Sequence, residues 1–282
     1  MTGSTPAAGF HLTDGKGYSL GQDSPAVCRL NLQIFLWKAS LGFTLHPSIP
    51  VPTTGRIADV ATGTALWLTE LAQTLPADAD VALDGLDLDL SKAPPRPWLP
   101  ANVHLHQADI LAPLPDPLVG QYEVVHLRLL ILVVENSDPT PIIRYAHRML
   151  KPGGYIQWDD LNYPDTHVRR IDPTHATPAF DRLREFVYSK GRHDWVMRLD
   201  EILTREGFVD AHLHHFTDRR DLIMANGHQH LMTMLEFAGS LKAKGMAPEA
   251  RDLEALLAEV SVEAARGAAL SMPRVVCVAR KP

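Results

Sequence analysis

Asp59-Val60-Ala61-Thr62-Gly63-Thr64-Ala65 is the stretch whose reading decides the fold. It follows a short apolar run, residues 56–60, that reads as a strand. It precedes residues 64–75, where Leu66, Trp67, Leu71 and Leu75 share one side of a helix. Small residues at a strand-to-helix turn let backbone approach a ligand, and the helix N-terminus offers free N–H groups to it. Two further acids sit at strand ends. Residues 81–88 end in Gly85-Leu86-Asp87, and a strand at 103–107 is followed by Asp109. A carboxylate at the end of the second strand is placed to accept both hydroxyls of a ribose, and one after the third to accept from an adenine amino group. Alone, each acid is more often a turn or a cap. The ordered set, with about 25 residues between successive acids, points to a ligand at the carboxyl ends of an open α/β sheet.

Outward from this stretch the pattern repeats. Residues 1–17 are rich in Gly, Thr and Ala and read as a loose start. Residues 25–41 place Leu30, Ile34, Trp37 and Leu41 at helical spacing, and Pro47, Pro50 and Pro52 then stiffen a connector. Strands are expected at 122–127 and 155–158. Between them a helix at 140–150 is stopped by Lys151-Pro152-Gly153-Gly154. Strands alternating with helices predict a parallel sheet with helices on both faces. Further on, helices are expected at 180–189, 199–206, 222–244 and 248–267, and strands at 208–216 and 275–279. The division that follows is an N-terminal helical segment (1–50), a core (51–165), and a remainder (166–282) whose helices at about 220–270 cap the substrate side.

Composition bounds the function. The chain has 282 residues, 45% of them hydrophobic and 21% charged, enough to build a core and too apolar for a disordered chain. The formal net charge of −6 argues against a protein that works by neutralising nucleic-acid phosphates. The apolar run Leu129 to Val134 is far shorter than the about 20 residues of a membrane span. Met1 to Phe10 lacks a basic region followed by an apolar one, so a cytoplasmic location without a signal peptide is the expectation. Cys28 and Cys277 read as free thiols. Fourteen histidines form no pattern of metal-ligand spacing, and His212, His214 and His215 read as solvated strand residues, so no metal is expected.

The run 57–67, then Gly85-Leu86-Asp87, Gln107-Ala108-Asp109, Val125-His126-Leu127-Arg128 and Leu150-Lys151-Pro152-Gly153-Gly154-Tyr155 resembles the class I S-adenosylmethionine-dependent methyltransferases. Leu30-Asn31-Leu32-Gln33 with Trp37, Gln157-Trp158-Asp159-Asp160 and the closing Val275-Val276-Cys277-Val278-Ala279-Arg280 resemble a fungal branch that decorates secondary metabolites. The resemblance is strong over 56–160 and weak over 165–270. It implies a Rossmann-like sheet and S-adenosyl-L-methionine as cofactor. By position, Asp59 would orient the loop and the amino acid end of the cofactor, and Ala61 and Gly63 would touch it through backbone. Asp87 would hold the ribose, with Asp89 the next candidate, and Asp109 and Ile110 would flank the adenine. His126 and Arg128 would lie near the methionine moiety, with Tyr18 and Asn31 folded over the cofactor from the N-terminal segment.

Where the family prefers three glycines, this chain has Ala61, Gly63 and Ala65. Alanine is tolerable there if φ is negative, and the expectation is that both alanines keep negative φ, with Ala65 one turn into the helix. Methyl transfer to a hydroxyl or amine needs a proton acceptor, for which His126, Asp159 and Asp160 are the candidates, with His167 and His193 more remote. For each, a structural role is the commoner reading. The preferred function is methylation of a small secondary metabolite. The alternatives are a cofactor-assisted pericyclic or cyclisation step and a non-catalytic partner. Phe180, Phe186, Trp195, Met224, Met232, Met234, Leu235 and Phe237 are candidates for an apolar pocket, though plain core is the commoner reading. A homodimer is the oligomer kept open.

Overall fold

A computed structural model describes residues 20, 21 and 23–282. Helix α1 (Ser24–Leu41) opens it, with the Asp23 carboxylate accepting from the Ala26 amide and Gly42 closing it in the left-handed conformation. A seven-stranded sheet follows, in the order β3-β2-β1-β4-β5-β9-β7. Its strands are β1 (Thr54–Val60), β2 (Asp80–Asp87), β3 (Val103–Gln107), β4 (Tyr122–Arg128), β5 (Leu150–Leu161), β7 (Val209–Phe216) and β9 (Arg274–Arg280). The first five are mutually parallel. β9 runs antiparallel to β5, and β7 antiparallel to β9, so the expected all-parallel sheet is corrected at this edge. The reversal places β9 between β5 and the edge strand β7, where it is buried along nearly its whole length.

Two sequence features that look like helix and turn become strand. β5 begins at Leu150, not Tyr155. Gly153, at φ 81°, and Gly154 carry the chain through a register shift against β4. A Cβ on Gly154 would stand 3.0 Å from the carbonyl oxygens of Lys151 and Tyr122, so any side chain there would press on backbone. A second, two-stranded sheet of β6 (His167–Arg170) and β8 (Ala268–Ser271) pairs segments separated by a hundred residues; neither has a strand signature of its own.

The helices are α2 (Leu66–Ala72), α3 (Thr140–Met149), α4 (Pro178–Tyr188), α5 (Leu199–Arg205), α6 (Ile223–Ala243) and α7 (Ala247–Ala265). One core lies under α1, α3, α4, α6 and α7. The other lies under α2, where Ile57, Leu83, Val103 and Val124 meet Trp67, Leu68 and Leu71. Helix α6 packs on α1, α7 and β8, and α7 backs it from the far side. Phe180, Phe186, Trp195 and Phe237 are core, while Met224, Met232 and Leu235 are exposed, so of the expected apolar pocket set only Met234 reaches a cavity. Cys28 and Cys277 are free. No described helix is long and apolar enough to cross a membrane.

Candidate active site

A cavity of about 720 Å³ opens at the carboxyl ends of β1, β2, β3 and β4. The sheet supplies one wall. α1 contributes Leu30, Gln33 and Ile34 to the other, and α6 contributes His230, Thr233 and Met234. Most of the lining is apolar, including the whole run Leu129 to Val134 that follows β4. Leu129 turns that corner at φ 55°, a backbone state that costs a non-glycine residue about 1–2 kcal/mol.

The loop after β1 meets the cavity at Asp59 through Thr64. It is wound more tightly than expected. Ala61, Gly63 and Ala65 all have positive φ, at 60°, 58° and 55°. The expectation of negative φ at the alanines is therefore corrected. Ala65 is not inside the helix but is its left-handed N-cap, and α2 starts one residue later. The winding is held from within: the Thr62 amide donates to the Leu86 carbonyl, the Gly63 amide to Asp87 and the Ala65 amide to the Thr62 carbonyl. A Cβ on Gly63 would meet nothing within 4 Å, so this position faces open space. The buried Thr64 hydroxyl has no hydrogen-bond partner among the described residues.

Asp87 braces this loop: its Oδ2 accepts from the Gly63 amide at 2.8 Å, and its Oδ1 from the Asp89 amide at 3.1 Å. Each carboxylate oxygen keeps a further lone pair for the cavity. Asp109 and Ile110 lie on the same lining beyond β3. Gly85, in the middle of β2, has no room for a Cβ, which would come within 2.7 Å of Leu105 and 2.9 Å of Thr62. The Tyr145 hydroxyl of α3 is buried at this end without a partner among the described residues, and burial and Asp109 raise its pKa.

The expected base lies behind this wall, not in it. His126 is fully buried, with Nδ1 2.7 Å from Asp59 and Nε2 3.1 Å from Asp159, and it stacks on Trp67 with ring centroids 3.9 Å apart. Burial opposes its charge, but Asp159 first and Asp59 second hold the proton, and the net shift is upward. Asp59 also accepts from the Thr62 hydroxyl at 2.6 Å, so each of its oxygens has a partner. Asp159 accepts from Gln157, which in turn accepts from the His46 amide and donates to the Thr44 carbonyl. One hydrogen-bonded chain thus runs from the loop, across β1, β4 and β5, to the segment after α1. Asp160 is buried too. It accepts from the Leu161 amide and the Trp158 indole, and burial pushes its carboxyl up to about 7.

Of the candidates, Asp59, Ala61, Gly63, Asp87, Asp109, Ile110 and Arg128 line the cavity; Asn31, His126, Asp159 and Asp160 do not. Tyr18 lies outside the described residues. His167 and His193 are also off the lining; the His193 ring packs against Tyr163 at 4.9 Å. Arg128 stands 5.8 Å over the Trp37 ring with no hydrogen-bonded carboxylate among the described residues, and burial lowers its pKa against the pull of Asp159 and Asp59. Sequence reasoning missed Gln33, Tyr163, Arg192, His230 and Met272 in the lining. A polar residue on the inner face of α6 is the one signal that singles out His230, and that face is visible only once the helix is packed. His212 and His215 are exposed, as expected of a strand facing solvent, while His214 stacks on His46 at 4.3 Å. No group of three metal-ligating side chains occurs among the described residues.

Strand order, the glycine-and-alanine loop after β1 and the acids at the ends of β2 and β3 define a Rossmann-like class I methyltransferase fold. A chain of the Haloferax volcanii complex between the Trm112 methyltransferase activator and a methyltransferase shares it, with a TM-score of 0.50 over 93% of this chain and 99% of that one at 13% identity. By sequence the protein resembles methyltransferases of fungal secondary metabolism. It is 34% identical over 152 residues to the methyltransferase grgD of a Penicillium species, covering 52% of each chain. It is 29% identical over 199 residues to the N-methyltransferase verN of Clonostachys rogersoniana, covering 70% of this chain and 67% of that one. The chain thus spans about half the length of grgD and two thirds of verN. It is also 26% identical over 131 residues to the secondary metabolism regulator LAE1 of Hypocrea atroviridis, covering 46% of this chain and 36% of that one. No family model matches.

Proposed function

We propose that the protein binds S-adenosyl-L-methionine in this cavity and methylates a hydroxyl or amine of a small secondary metabolite. The observation that carries the reading is the convergence of the β1 loop, Asp87 and Asp109 on one cavity. The fit is chemical. Asp87 offers lone pairs for two ribose hydroxyls, Asp109 an acceptor for an adenine amine, and Gly63 an approach free of any Cβ. The unpartnered Thr64 hydroxyl supplies a donor, and Arg128 a cation for a carboxylate. The cofactor when bound supplies an activated methyl on a sulfonium.

The chain's own contribution is position and dryness. Leu129 to Val134 on the sheet side and Ile34 and Met234 on the helix side exclude water from the reacting end. His126 acts at one remove: pinned by two carboxylates and a stacked indole, it fixes Asp59 and through it the loop. We read the helices at about 220–270 as the cover on the substrate side of the core, α6 forming the wall beside α1 and α7 supporting it. The named methyltransferase relatives favour methyl transfer over the cyclisation alternative, and verN favours an amine as acceptor.

Calorimetry with S-adenosylhomocysteine tests the reading. Asp87→Ala removes both the ribose acceptor and the brace on Gly63, so affinity should fall by about 1–3 kcal/mol, roughly 5- to 150-fold. An unchanged dissociation constant would move the ribose away from β2.

A further inference from the structure

We propose that His230 selects the substrate, accepting a hydrogen bond from a hydroxyl or amine N–H on an otherwise apolar molecule. This rests on the methyltransferase reading above and deepens it.

The argument begins at Gly227, whose Cβ would come within 2.9 Å of Ala269. Glycine there lets α6 lie close on β8. Residues 227, 230 and 234 share one helix face, so His230, one turn on, is carried inward with Met234 onto the cavity lining. The residue is 7% exposed, and its Nε2 is buried without a partner among the described residues.

The surroundings decide its protonation state. Burial first, then the Arg274 guanidinium, push the imidazole down to about 4, against a weaker pull from Asp218. Arg274 is itself committed, with Nη1 2.6 Å from Asp218 and Nη2 2.7 Å from the Asn226 carbonyl oxygen. The imidazole is therefore neutral near pH 7, with one ring nitrogen carrying a lone pair.

The other polar groups nearby on the helical wall are already used. The Thr233 hydroxyl donates to the Gln229 carbonyl and accepts from its amide. Arg29 holds Glu236 in a two-pronged pair at 2.6 and 3.1 Å, tying α1 to α6. Met234, Leu270 and Met272 share the cavity lining with His230. A buried acceptor in a largely apolar wall discriminates sharply, because a ligand without a donor leaves it unmet.

The experiment uses two probes with one ring system, 2-naphthol and 2-methoxynaphthalene, titrated calorimetrically into the full chain saturated with S-adenosylhomocysteine. The wild type should bind 2-naphthol about tenfold more tightly than its methyl ether. His230→Leu should abolish the preference. His230→Gln, whose amide oxygen can accept, should retain part of it and serves as the informative variant if the leucine chain does not fold. Both variants should keep the wild-type affinity for S-adenosylhomocysteine. Failure of S-adenosylhomocysteine to bind the wild type overturns the methyltransferase reading and the selection with it. Normal S-adenosylhomocysteine binding with no uptake of 2-naphthol, no preference in the wild type, or a full preference in His230→Leu overturns the role of His230 alone.

Discussion

Two buried polar clusters flank the cavity, and they are built on opposite terms. Behind the sheet wall, Thr62, Asp59, His126, Asp159 and Gln157 form a closed chain in which both ring nitrogens of His126 have partners. Under the helical wall, Arg274, Asn226, His230 and Trp37 form an open one: Arg274 Nε, Asn226 Nδ2, His230 Nε2 and Trp37 Nε1 are all buried without partners among the described residues. Arg128 and Arg274 both approach the Trp37 ring, at 5.8 and 5.0 Å. A closed network rigidifies and specifies a fold, whereas buried polar groups left unmet cost free energy that a ligand or an ordered water can recover. The closed cluster shapes the loop; the open one is where specificity resides.

The largest expected effect comes from opening the closed cluster. His126→Leu leaves Asp59 and Asp159 facing each other without the imidazole, so stability should fall by about 3–5 kcal/mol in urea unfolding. The loss should be greater at pH 6 than at pH 9. The folded-state pKa of His126 is raised, so its contribution is complete below the unfolded value of about 6.5 and is lost as pH rises through the folded one. A cost below 1 kcal/mol at pH 6 would mean that the closed cluster does not hold the loop.

The closed cluster and its loop are what the sequence makes legible. Asp59, Asp87 and Asp109 are marked by strand ends, and strand ends are marked by short apolar runs bounded by small residues. The open cluster has no such signal. Asn226, His230 and Arg274 come from a helix and a strand nearly fifty residues apart, and only the packing of α6 on β8 makes them neighbours. Backbone conformation was equally hidden. Alanine in the family's glycine positions suggests negative φ, yet the loop retains the left-handed winding because its amides are held from both sides, by Leu86 and Asp87. Likewise Leu129 to Val134 reads as a short apolar stretch and turns out to be the cavity wall.

Asp160 offers a smaller effect that sharpens the contrast, since it is a buried acid held by the Trp158 indole and the Leu161 and Leu130 amides, with no ion-pair partner among the described residues. Its carboxyl is raised to about 7 from an ordinary value near 3.8. The folded chain therefore holds a proton that the unfolded chain releases, and stability declines as pH rises from about 4 to 7. Asp160→Asn keeps one acceptor oxygen for the Leu161 amide, gives up the longer bond from the Trp158 indole at every pH, and removes the ionisation. The variant should gain about 1–3 kcal/mol relative to wild type on going from pH 5 to pH 8, read from paired urea titrations. A difference that does not change with pH would place the Asp160 proton elsewhere.

The smallest effects test whether the loop's winding is held by the closed cluster or merely tolerated by its residues. A left-handed residue with a Cβ costs about 1–2 kcal/mol, and glycine returns about 0.5–1 kcal/mol of this through its greater freedom in the unfolded chain. Ala61 is half-buried on the cavity lining, so Ala61→Gly loses little packing and should stabilise the protein by about 0.5–1 kcal/mol. Ala65 is fully buried, and removing its methyl costs about 0.8 kcal/mol of burial, which cancels the conformational gain and leaves Ala65→Gly near neutral. Because Asp87 and the closed cluster already hold the loop in place, neither glycine should change affinity for S-adenosylhomocysteine by more than about threefold, or roughly 0.7 kcal/mol. Destabilisation by Ala61→Gly of more than 1 kcal/mol would show that φ at 61 is negative in solution. A large gain in affinity from either glycine would show that the alanine methyls, and not the hydrogen bonds behind them, set the shape of the loop.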